Sequence, residues 1–154
     1  MDIEARLWDA RARMISTVAV GTDGSATAAE AVEMAAELAR RFDAKLVLLS
    51  AFDDSAGPPG LKGASTEVQW SFNPQARLRE ILNRAEQDLR LQKIECSTMV
   101  DEGDPAEVLV RLAEECNADL LVIGNKGMQR RLLGSVPNTV AHKAPCSVLV
   151  CKTT

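Results

Sequence analysis

Apolar residues fall along this 154-residue chain in two rhythms that take turns, and the alternation is its strongest architectural signal. Short apolar runs occur at Thr17–Val20, Lys45–Phe52, Ile94–Val100, Leu120–Ile123 and Ser147–Cys151, and each reads as a strand. Between them the period changes to that of a helix. Ala28, Ala31, Val32, Ala35, Leu38, Ala39 and Phe42 form one stripe, with Glu30, Glu33, Glu37, Arg40 and Arg41 on other faces. Leu78, Ile81, Leu82, Ala85 and Leu89 repeat the pattern after Pro74. Val108, Leu109, Leu112, Ala113 and Cys116 form a third stripe, introduced by Asp104 as N-cap, Pro105 in the first helical position and Glu107 three residues after the cap. A short fourth helix is predicted from Ser135 to about Lys143, and Pro145 stops it.

Five strands separated by four helices imply a mainly parallel sheet covered on both faces and joined by right-handed crossovers. In such open sheets a ligand sits beyond the carboxyl ends of the strands, where the winding reverses direction. The loops after the first and fourth strands are therefore the places to look. Two segments stand outside the pattern. Residues 1–14 are a charged extension ahead of the first strand, and residues 15–154 make a single domain. Within it, residues 53–73 hold Gly57, Pro58, Pro59, Gly60 and Gly63 together with Trp70 and Phe72, and read as a long irregular, partly disordered flap.

Composition narrows the function classes. With 46% hydrophobic and 26% charged residues the chain can bury a core unaided. Its apolar runs are far shorter than the roughly 20 residues of a membrane span, and the acidic start, with Asp2, Glu4 and Asp9, does not resemble a signal peptide. A cytoplasmic protein with no membrane partner is expected. Eighteen Lys and Arg against 22 Asp and Glu leave a net charge of -4, and only 3% of residues are aromatic. A basic surface or a stacking platform for nucleic acid is not expected. Cys96, Cys116, Cys146 and Cys151 include no CxxC pair and lie in apolar surroundings, where cysteine behaves as a small buried hydrophobe. One histidine, His142, cannot build a histidine-based triad or zinc site. No catalytic residue and no metal ligand set is assigned.

The chemistry lies in the glycine clusters. The first strand ends in Gly21-Thr22-Asp23-Gly24-Ser25, and the fourth in Gly124-Asn125-Lys126-Gly127, with Gly134-Ser135 opening the last helix. Glycine permits positive φ and close approach to the main chain, the geometry that lets N–H groups cradle phosphate oxygens. Ser135 adds a hydroxyl at a helix N-terminus, where unpaired donors and the dipole favour an anion. Lys126, Arg130 and Arg131 bring cations to an otherwise acidic chain. An anion pocket is expected at this edge, against the simpler reading in which the glycines only turn the chain and Ser135 only caps a helix. Asp23 suits ribose hydroxyls or an adenine amine, or else an Asx turn. Neither GxxxxGK[ST] nor a GxGxxG after the first strand is present, so magnesium-assisted phosphoryl transfer has no lysine–hydroxyl pair to use.

These residues resemble the universal stress protein family over about residues 15–152, through Val18-Ala19-Val20-Gly21-Thr22-Asp23-Gly24-Ser25, Gly103-Asp104-Pro105-Ala106-Glu107, the two glycine clusters running on to Val136-Pro137, and Ala144-Pro145-Cys146-Ser147-Val148-Leu149-Val150. The resemblance implies a single-domain, three-layer α/β/α fold. It is Rossmann-like, of the adenine nucleotide alpha hydrolase-like kind, with a parallel sheet in the order 3-2-1-4-5 and a homodimer formed through the last strand. In nucleotide-binding members the motif G-x2-G-x9-G-[ST] wraps the phosphates. By matching position, Gly124, Gly127, Gly134, Ser135 and the Val136 amide would hold phosphates. Thr22 and Asp23 would line the nucleoside, and the backbone of Ala51 and Val100 would meet adenine. Here only six residues separate Gly127 from Gly134, so the loop is three short of the motif. That removes up to about 10 Å of extended reach.

The function expected is a dimeric regulatory protein of stress response that binds ATP, with or without Mg2+, and hydrolyses it slowly at most. The alternatives are an AMP or cyclic AMP binder with the same pocket, or a dimeric interaction module with no nucleotide. A catalyst using Asp101, Glu102 and Asp104, which cluster after the third strand, is a further and weaker reading.

Overall fold

The computed structural model of the protein describes residues 14–53, 73–125 and 133–153. The elements run β1 (Thr17–Gly21), α1 (Ala26–Phe42), β2 (Lys45–Phe52), α2 (Pro74–Leu91), β3 (Cys96–Glu102), α3 (Pro105–Glu115), β4 (Leu120–Asn125), α4 (Ser135–Lys143) and β5 (Ser147–Lys152). The five strands form one sheet in the order β3-β2-β1-β4-β5, and every pairing is parallel.

Strand alternation divides the core into two layers. Val18, Val20, Leu46, Leu48 and Val122 face α1 and α2, packing on Ala31, Ala35, Ala39, Leu78 and Leu82. Ala19, Val47, Leu49, Leu121 and Ile123 face the other way, against Leu109, Leu112 and Ala113 of α3 and Val140 of α4. The central strands are buried on both faces, which is why they read as continuous apolar runs rather than alternating ones. The alanine stripe of α1 lets that helix lie close over β1 and β4, since small side chains keep the helix near the sheet.

Several boundaries differ from the sequence expectation for identifiable reasons. Strand β3 starts at Cys96 rather than Ile94, because the Ile94 amide donates to the Leu89 carbonyl at the end of α2 and cannot join the ladder. It also runs on to Glu102, so Asp101 and Glu102 belong to the strand rather than to the loop after it. Strand β4 extends to Asn125 because Gly124 and Asn125 still pair with Cys151 and Lys152 of β5. Helix α1 begins at Ala26, with Ser25 as N-cap accepting from the Ala28 amide. The flap expected over residues 53–73 and the extension over residues 1–14 lie outside the described residues except for Asp53, Asn73 and Met14. Asn73, at the end of that segment, caps α2 by accepting from the Gln75 and Ala76 amides.

Candidate functional site

The ladder between β1 and β4 holds only from Val18–Leu120 to Val20–Val122. Beyond it, β1 stays with β2 through Gly21, while β4 stays with β5 through Asn125. The two middle strands therefore part at their carboxyl ends, where the winding reverses, and a cavity of about 360 Å³ opens there. That volume is at the lower end of small-molecule sites. Ala51, Leu109, Ile123, Pro105 and Pro137 give it an apolar floor and wall, while Thr22, Asp23, Asn125, Ser135 and Thr153 place polar groups on its rim.

The β1 loop is held by its own chain. The Thr22 amide donates to the Leu49 carbonyl, and the Ser50 hydroxyl donates to the Thr22 carbonyl. Ser50 is the polar interruption of the buried run of β2, and that bond satisfies it. Asp23 forms an Asx turn, its Oδ1 accepting from the Ser25 amide at 2.9 Å while it lines the cavity. The Thr22 hydroxyl likewise accepts from the Gly24 amide. In this cluster only Gly24 takes a positive φ, +78°. Gly21 serves packing instead, since a Cβ there would come within 2.9 Å of Leu109.

At the β4 end, Asn125 is fully buried, and its Oδ1 accepts from the Gly134 amide at 2.9 Å. The main-chain donor expected at Gly134 thus has an internal partner. Gly134 is also the N-cap residue of α4, which has no side-chain cap, so Ser135 stands in the first helical position rather than at the cap. The next residue, Val136, has no intrahelical acceptor for its amide, and Pro137 has no amide to offer. What α4 presents to the cavity is two main-chain amides, at Ser135 and Val136, beside one hydroxyl at the positive end of the helix. Gly124 does not face the cavity through an open Cβ direction, because a side chain there would meet Thr153 at 3.1 Å and Ala31 at 3.6 Å.

Of the residues singled out from sequence, the cavity brings together Gly21, Thr22, Asp23, Ala51, Gly124, Asn125, Gly134, Ser135 and Val136. Val100 is not in the lining; it sits on the edge strand opposite Ser50, with its side chain packed on the α1 and α2 side. Lys126, Gly127 and Arg130 lie outside the described residues. Sequence reasoning did not find Thr153, whose hydroxyl donates to the Asn125 carbonyl at 3.0 Å, nor the floor residues Leu109 and Ile123. The floor carries the same periodic signal as the rest of the core, and nothing in the sequence marks Thr153.

The remaining candidate chemistry is accounted for structurally. Arg111 donates to Asp101 at 2.6 Å, and with the Glu102 amide it holds that carboxyl below the usual range. Asp104 caps α3 by accepting from the Glu107 amide. Among the described residues no three His, Cys, Asp or Glu side chains are grouped to hold a metal ion. All four cysteines are free, and burial pushes each thiol up, Cys96 to about 11. Thiolate chemistry is disfavoured accordingly. Among the described residues, no helix is long and apolar enough to cross a membrane.

The chain matches the profile of the universal stress protein family over residues 14–152. A universal stress protein of Mycobacterium tuberculosis is 40% identical over 148 residues, covering 90% of this chain and 97% of its own. One from Methanocaldococcus jannaschii is 32% identical over 145 residues, covering 88% and 81%. Among solved structures, a universal stress protein in complex with cAMP superposes with a TM-score of 0.69 at 32% identity, over 92% of this chain and 99% of that one. The UspA protein of Lactobacillus plantarum gives 0.72 at 26% identity, over 90% and 98%.

Proposed function

This chain belongs to the universal stress protein family, and from that premise we propose that it binds an adenine nucleotide in the cavity between the ends of β1 and β4. The observation that carries the reading is the polarity of that cavity. Its floor and wall are apolar, suited to a base, and its rim includes Ser135 and Val136, whose main-chain amides and hydroxyl at the start of α4 suit a phosphate. Thr22 and Asp23 on the same rim suit the ribose. A relative with similar fold and 32% identity was crystallised with cAMP, which supports the same assignment here.

Three donors at α4 are enough for one phosphate group, so AMP or cyclic AMP fits the described site best. ATP is the second reading: the cations Lys126 and Arg130 in the shortened loop are the groups that would meet its outer phosphates, and any Mg2+ would be carried chiefly by those phosphates. Gly124, Gly127 and Gly134 would then shape the loop rather than donate to the ligand. The protein would act as a cytoplasmic regulator of stress response whose state depends on occupancy, and as a homodimer through β5, with hydrolysis slow at most.

Calorimetric titration with AMP, cyclic AMP and ATP tests this reading. Heat from the monophosphates, with affinity at least equal to that for ATP, is expected. No heat from any of the three at millimolar ligand would remove it in favour of an interaction module. Ser135→Asp separates binding from folding: a carboxylate in the first turn favours the helix dipole but repels a phosphate. Affinity should drop at least about tenfold, equivalent to about 1.4 kcal/mol, while Tm stays level or rises.

A further inference from the structure

We infer that Asn125 and Thr153 are positioning residues that fix the anion-binding turn of α4 to the sheet, and that through Thr153 the end of β5 helps to hold that turn. The inference rests on the nucleotide reading above for what the turn binds. It does not rest on it for how the turn is held.

Asn125 is a wholly buried polar side chain at the end of an otherwise apolar strand. Such a group is tolerated only when its hydrogen bonds are made, since leaving a donor or acceptor unpaired costs about 1–3 kcal/mol. Its Oδ1 receives the Gly134 N–H across nine positions of sequence. That bond places the cap of α4 directly against the end of β4, whatever path the intervening chain takes. The donors of Ser135 and Val136 follow immediately, so this carboxamide ties them to the sheet at the helix start, while Val140 anchors the same helix in the core one turn on.

Asn125 is held in turn through its main chain. The Thr153 hydroxyl, buried just past β5, donates to the Asn125 carbonyl at 3.0 Å, and the Thr153 methyl occupies the space that a Cβ at Gly124 would need. On the other side, a Cβ at Gly134 would lie 3.3 Å from Asn125 Oδ1 and press on the bond. Two glycines of the motif therefore leave room for the latch from opposite ends. The geometry gives them a role distinct from approach of a ligand to bare backbone.

Amide hydrogen exchange in the ligand-free full chain, read residue by residue by NMR, tests the latch. Gly134 should exchange slowly in the wild type. Thr153→Val keeps the shape and removes the hydroxyl, and it should speed exchange at Gly134 at least about tenfold although Thr153 does not touch that amide. Thr153→Ser should restore protection. AMP titration of the same proteins should show a rise in Kd of about fivefold for Thr153→Val, the scale of one hydrogen bond, and a smaller change for Thr153→Ser. Unchanged exchange at Gly134 in Thr153→Val, or slow exchange persisting in a folded Asn125→Ala, overturns the inference. The expected exchange pattern in a wild type that binds none of AMP, cyclic AMP and ATP would support the latch and sink the nucleotide reading.

Discussion

Single residues near the cavity carry jobs that their type only partly announces. Gly24 is a glycine whose backbone requires it: φ is +78°, and a Cβ would sit 3.0 Å from Ile81 Cγ2. Gly24→Ala should cost about 1–2 kcal/mol, the scale of left-handed strain in an L-residue, and a urea titration followed by circular dichroism measures it. Asp23 was legible as either a turn former or a nucleoside contact, and it makes the turn while also lining the cavity. The cysteines were legible as hydrophobes. With burial pushing the Cys96 thiol up to about 11, iodoacetamide at pH 8 should leave Cys96 unmodified in the folded protein and alkylate it in urea. Rapid native labelling of Cys96 by mass spectrometry would contradict this. Ser50 and Thr153 were not singled out, because their importance lies in which carbonyl each hydroxyl reaches, and both carbonyls are 28 positions away along the chain.

Elements were readable where local rules decide them. Asp104-Pro105 starts a helix as a cap and first-position proline should, and Pro74 marks the start of another, although its cap, Asn73, reads in sequence as the end of the flap. Element ends were less so, since the ends of β3 and β4 depend on which neighbour still offers a ladder. The starts of β1 and β4 are joined by a side chain as well as by main chain: the Asp119 amide donates to the Thr17 carbonyl, while Asp119 Oδ2 accepts from the Ser16 and Thr17 amides at 2.9 Å each and from the Ser16 hydroxyl. Burial acts to raise the Asp119 pKa, but those donors outweigh it and the carboxyl titrates below its usual value. A carboxyl depressed in the folded state stabilises above its unfolded pKa of about 3.9, and that contribution is lost as pH falls through the folded value. Asp119→Ala should therefore cost about 1 kcal/mol near neutral pH, allowing for solvent exposure. The gap from wild type should close below about pH 4, as denaturant midpoints across pH would show. A gap that stayed constant down to pH 2 would assign the effect to packing.

For the whole molecule, β5 is an edge strand, with β4 on one side only, and its Leu149 is 36% exposed. Edges of this kind are covered or blunted in stable proteins. If β5 is the homodimer interface, Leu149→Lys should shift the sedimentation coefficient from dimer to monomer with little change in Tm. A dimer that persists would place the interface elsewhere. Within one chain, the sequence alone determined the α/β class, the element order and the neighbourhood of the site, because burial period and capping chemistry act over a few residues. The tertiary structure decided that β1 and β4 part after Val20 and Val122, that Asn125 takes the Gly134 amide, and that Ser135 and Val136 open α4 beside the cavity. Those facts depend on hydrogen bonds and contacts between segments distant in sequence. Local periodicity carries no information about which of several available donors and acceptors will meet.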